Sequence, residues 1–274
     1  NTLSGTVSFG NAGGSVSNIV SLSGTLTVNG GLSASATGRT FNFGGAGDTV
    51  VAGAITGDVA VSKSGSGTTT LTTATDTYTG ATTVNGGKLV VNGNISTSIV
   101  TVNTGAAIGG SGTIGGNITV ASGATLAPGN SAGNLTLGNG LTLAGSYAWE
   151  LGALSTANPG ADFDIVTVTA GSVDISGALI QLNLGAFAPT AVSFWETDQT
   201  WTGIINNTGA GDLTGTFAAI DNSAWSSLGA FTTTNTGNDV NLLWTAAVPE
   251  PASGAILGLT GTLLMLRRRR SLKN

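Results

Sequence analysis

Two stretches decide the fold: "VTVNTGAAI" (100–108) and "ITVASGATL" (118–126). They match position by position in Thr, Val, Gly and Ala, at a step of 18 residues. "TTVNGG" (82–87) lies one step upstream, and "LTVNGG" (26–31) echoes it. A fixed short period is the mark of a solenoid. A step of 18 holding two or three short β-branched runs suits one rung of a parallel β-helix. Rungs stack at about 4.8 Å, so Val84, Val102 and Val120 are expected to form one inward column. The Asn and Gly that follow these valines, with Ala121 in place of Asn after Val120, make the corners, where positive φ costs Asn and Gly little. The alternating Thr faces solvent. An antiparallel sandwich also has short strands and frequent turns, but gives no reason for an 18-residue step. The expected class is therefore all-β, a parallel β-helix of right-handed coil.

Composition agrees. The chain has 274 residues, 45 of them Gly, with 40% hydrophobic and 8% charged residues. Low charge with ample aliphatics favours a packed core over disorder. Cysteine and histidine are absent. That removes disulfides, thiolate metal sites and imidazole catalysis. Residues 1–248 carry three basic groups, Arg39, Lys63 and Lys88, against twelve acidic ones. Such a body does not suit nucleic acid, whose phosphates need cations. The chain opens on Asn1 without a charged, then apolar, leader. A removed signal peptide and a longer parent sequence both account for this.

The segment 62–93, "SKSGSGTTTLTTATDTYTGATTVNGGKLVVNG", resembles the autotransporter-associated beta-strand repeat. The matching residues are Gly65, Gly67, Thr77, Tyr78, Thr79, Gly80, Thr83, Val84, Gly87, Leu89 and Val90. Thr69 and Thr70 stand where that family more often has Leu. The resemblance covers about 40–145 and implies a surface-exposed β-helical stalk, without a defined chemistry. No run of alternating strands long enough for a translocating barrel follows. Residues 1–145 are read as the β-helix and 146–247 as its continuation and cap. All five tryptophans fall in the second part: Trp149, Trp195, Trp201, Trp225 and Trp244. They are expected to pack in a cap that closes the last rung, although rings of this kind can also stack on sugars. Residues 187–212 read as a long loop.

Three acids are candidates for chemistry. Asp48 sits in "GGAGDTVVAG" (44–53), a single, misregistered likeness to a calcium-binding nonapeptide; a glycine-rich corner is the plainer reading. Asp162 and Asp164 lie two apart, so on a strand both would point to one face. They could serve acid/base work on a glycosidic bond or hold calcium. No basic residue lies between Lys88 and Arg267 to support an active site, and a solvated strand end explains them more simply. The expectation is no catalytic residue and no cofactor, with calcium a minor candidate.

The tail, 248–274, has three parts: Val248, Pro249, Glu250 and Pro251; then fifteen uncharged residues, 252–266; then Arg267, Arg268, Arg269 and Arg270. As a helix the middle part reaches about 22 Å, short of the roughly 30 Å bilayer core. The arginines suit a cytoplasmic anchor. Order and content resemble the PEP-CTERM sorting signal of Gram-negative bacteria. That resemblance implies export, transient residence of 252–266 in the inner membrane, processing by an exosortase-type protease near Pro-Glu-Pro, and a final place at the cell surface or in the matrix. Together these readings give a non-enzymatic surface or matrix protein, a stalk or adhesin whose partners are polysaccharide, matrix proteins or copies of itself. The alternatives are a polysaccharide-active enzyme using carboxylates, or a calcium-dependent carbohydrate-binding module.

Overall fold

The computed structural model describes residues 1–10, 14–95, 98–190 and 192–247. The chain winds as a three-sided parallel β-helix. Face 1 is a nine-stranded sheet running from Thr2–Leu3 to Leu179–Asn183. Face 3 is a second nine-stranded sheet, from Val16–Val20 to Leu213–Thr214. Face 2 comes in two sheets. One holds the strands from Val7–Phe9 to Thr77–Tyr78, and the other begins at Asn94–Ile95. A parallel bridge from Asp76 to Ile95 joins them.

The inward column is where the repeat puts it. Val84 pairs with Val102 and Val102 with Val120, all parallel and all fully buried. Each such valine contributes on the order of 1.5–3 kcal/mol by leaving water. The corners stack as well. Gly105 has φ +81° and Gly123 φ +75°, and the Gly105 amide donates to the Gly123 carbonyl at 2.9 Å. A side chain at either glycine would meet a disfavoured backbone.

The 18-residue step is local. Val120 pairs next with Leu143, and Leu141 with Val173. Extra residues are absorbed at the corners, which leave the sheets undisturbed. The echo between 26–31 and 82–87 is therefore not a register match. Thr25–Val28 lies on face 1, whereas Thr82–Val84 lies on face 3.

Polar groups enter the core at defined points. Tyr78 is buried, and its hydroxyl lies 2.7 Å from Thr82 Oγ1, which lies 2.7 Å from Ser98 Oγ; Ser98 donates to the Gly80 carbonyl. The "TYTG" run thus supplies an internal hydroxyl chain that ties two rungs together. Lys63 is only 2% exposed. Its ammonium donates to the carbonyls of Ser64, Gly65 and Gly86 at 2.7, 3.0 and 3.2 Å, clamping two successive corners. Burial lowers its pKa, and the nearby Asp48 charge opposes that.

The solenoid ends in an aromatic cap. Gln199–Asn207 pairs parallel with Ile165–Val168 on one side and antiparallel with Asp239–Ala246 on the other. The reversal turns the sheet into a hairpin, Gly229–Thr236 against Asp239–Ala246, which ends the parallel stack. Trp149, Trp195, Trp201 and Trp244 are buried here, and Trp225 is half-buried against Phe231. Three indoles donate to carbonyls: Trp149 to Asp164, Trp201 to Ser155 and Trp244 to Trp195. The expected loop over 187–212 needs correction, since residues 199–207 form a solenoid strand. Gly203, at φ +64°, marks a shift in its antiparallel register between Trp201 and Ile205, which made the stretch look irregular. The hydrophobic helix expected at 252–266 lies outside the described residues. Among the described residues, no helix is long and apolar enough to cross a membrane.

Candidate functional site

The outward positions of face 3 form one column: Asn18, Asn42, Ser62, Thr83, Thr101, Thr119, Thr142, Asp174 and Thr214, each registered on the next. It carries no charge until Asp174. Sheet spacing sets its hydroxyls and amides about 4.8 Å apart. Threonine is stiff at χ1, so the hydroxyl positions are held before any ligand arrives. Asparagines add a hydrogen-bonded ladder: Asn42 to Asn18 at 2.8 Å and Asn103 to Asn85 at 2.7 Å. Face 2 carries shorter columns, Ser8–Ser33–Thr56–Thr77 and Thr113–Thr136–Thr167–Asn206.

The acidic candidates occupy three unrelated settings. Asp48 is exposed at the start of a face-1 strand and accepts the Thr68 amide of the next rung at 2.8 Å. It therefore caps a rung contact. Asp162 and Asp164 do not share a face, contrary to the strand expectation. A turn at Gly160, φ +77°, holds Asp162 partly exposed, where bonds from Ser155 and then Asn158 lower its pKa. Asp164 is buried beyond Phe163. Its two oxygens accept the Gly133 amide at 2.8 Å and the Glu150 amide at 3.0 Å. Burial raises its pKa to about 8, and those two bonds oppose the rise. Asp164 thus staples three chain segments and faces no solvent. Among the described residues, no group of three or more acidic side chains converges to hold a metal. The sorting-motif residues 248–251 and arginines 267–270 lie outside the described residues.

Sequence reading missed Asp76, which is 2% exposed and accepts the Ile55 amide at 2.7 Å. Burial raises its pKa to about 6. It also missed the shallow cleft on face 1 bordered by Glu150 and Asn183. Those two lie side by side through pairing of strands far apart in sequence, so local pattern could not join them.

Residues 61–91 match the passenger-associated-transport-repeat family. In the fold this stretch is one full turn and part of the next, and it contains the Lys63 clamp and the Tyr78 and Thr82 members of the hydroxyl chain, whose last member, Ser98, lies beyond it. The chain is also similar to the Adhesin BmaC autotransporter of Brucella suis biovar 1 (strain 1330), 44% identical over 84 residues. That alignment covers 30% of this chain and 2% of the relative, so the chain spans a small fraction of that protein's length.

Proposed function

We propose that this chain is an exported, non-enzymatic stalk or adhesin of the cell surface or extracellular matrix. The carrying observation is the uncharged face-3 column from Asn18 to Thr142, which offers fixed hydroxyls and amides over seven rungs. Similarity to a passenger repeat and to a named adhesin supports the same reading. Polysaccharide or matrix protein is the partner class such a face fits. Residues 248–274 act as the sorting signal. The precursor stops in the inner membrane at Arg267–Arg270, and an exosortase-type protease cuts near Pro249-Glu250-Pro251. The carboxylate enzyme is disfavoured, because both Asp164 oxygens already accept backbone amides and Asp162 faces elsewhere.

The test places Lys at Thr101, Thr119 and Thr142 together. These side chains stand on the solvated side, so the melting temperature should hold within a few degrees. Attachment of the displayed protein to biofilm matrix should fall at least about tenfold, three lost contacts near 1 kcal/mol each being ample. Unchanged attachment would remove face 3 from the account.

A further inference from the structure

The cleft missed by sequence reading sits where face 1 meets the loop after Asn183; it is open to solvent on one side and offers about 320 Å³. That is the lower end of the size range for small-molecule sites. Its chemistry is mixed in a specific way. Glu150 and Asn183 are registered neighbours on adjacent strands, and Asn183 Nδ2 donates to Glu150 Oε2 at a long 3.4 Å. A carboxylate accepts about four hydrogen bonds, so most of its capacity is left for a ligand. The half-buried ring of Phe187 lines the same cleft, together with Ala132, Leu151 and Ala186. Beside it, Gln181 donates to Ser146 at 3.2 Å, and Ala148 keeps the strand surface between them low.

We infer that this cleft is a saccharide subsite that takes one neutral hexose unit of a glycan chain. The pyranose C–H face packs on Phe187, while ring hydroxyls donate to Glu150 and accept from Asn183. Hexoses fit because they alternate an apolar face with hydroxyl rims, as the cleft alternates a ring with a carboxylate and an amide. Glu150 repels uronates. Among the described residues, no cation lines the cleft to hold one.

The inference rests on the surface-protein reading and adds to it a second glycan contact, on face 1, away from the threonine column. The immobilised full chain is exposed to neutral gluco-, galacto- and manno-oligosaccharides and to alginate oligosaccharides. Binding is expected to at least one neutral series and not to alginate. Asn183→Ala should weaken it about tenfold, the worth of one charge-assisted or well-placed hydrogen bond. Glu150→Gln keeps the shape, so alginate binding should rise about tenfold relative to the neutral series. Phe187→Ala should abolish binding, with an unchanged melting curve required before it is scored. No binding to any neutral series, or binding indifferent to Asn183→Ala and Glu150→Gln, overturns the subsite. Matrix attachment that persists in that case leaves the surface reading standing. Sugar binding by a protein confined to the cytoplasm would do the reverse.

Discussion

Replacing Trp244 by Ala should cost about 3–5 kcal/mol, the usual loss for a fully buried tryptophan. The ring is 0% exposed and lies 5.1 Å from the Trp195 ring and 4.9 Å from Phe231. Its indole also donates to the Trp195 carbonyl at 3.0 Å, so the truncation strands a buried acceptor. Trp244 lies on Asp239–Ala246, between Gln199–Asn207 and the other strand of the closing hairpin, opposite both Phe231 and Gln199. Its loss therefore loosens both sides of that strand and uncovers the edge of Gln199–Asn207, an invitation to intermolecular pairing. The melting temperature should fall by on the order of 10 °C, with aggregation on heating. Trp225→Ala is the control. That ring is half-exposed and packs on Phe231 at 5.7 Å, so its loss should be near 1 kcal/mol. Equal effects from the two would mean that the hairpin does not close the solenoid.

The second large effect is on pH dependence. Asp164 has an ordinary unfolded value near 3.8 and a folded value raised to about 8, chiefly by burial. Below about pH 4 the acid is protonated in both states, and its burial carries no ionisation penalty. Between the two values the unfolded chain releases the proton and the folded chain keeps it. Stability must then fall as pH rises, and level off above about 8. Asp76, raised to about 6, adds a smaller decline of the same sign at lower pH. Asp162, Asp174 and Asp221 are shifted the other way by hydrogen bonds, so their contributions fade only on acidification. At about 1.4 kcal/mol per unit the Asp164 effect has a ceiling of roughly 6 kcal/mol. Thermal unfolding from pH 5 to pH 9 should thus show a melting temperature that falls up to about pH 8 and then levels off. Asp164→Asn should flatten that drop. It should also lower stability at pH 5 by about 1–3 kcal/mol, because the amide cannot accept from both Gly133 and Glu150. Asp76 leaves a small residual slope; a slope undiminished by the substitution would mean that Asp164 ionises at an ordinary pH.

Legibility in the sequence followed the physics of stacking. Val84, Val102 and Val120 could be placed because three rungs keep identical length and residue type. The threonines between those valines were equally plain as the outer side. Rung length elsewhere could not be read, since the corners lengthen without changing the strand pattern. Asp164 misled because the strand argument presumes an unbroken alternation, and the turn at Gly160 leaves Asp162 outside any strand. Lys63 entered the sequence reading only as one of the three basic residues of 1–248. Its phase gave it away, for Val59, Val61 and Lys63 alternate inward together. The cap strand at 199–207 escaped notice because its Gly203 irregularity resembles a loop. Glu150 and Asn183 meet only through register, which no local pattern encodes.

The central claim is that the working protein is an exported solenoid whose charged tail is discarded. Its most direct test is the intact mass of the protein recovered from its native host, taken separately from the surface or matrix and from the inner membrane. The surface material should end near Val248–Pro251 and lack Arg267–Arg270. A surface form that keeps all four arginines, or a protein found only in the cytoplasm, would contradict it.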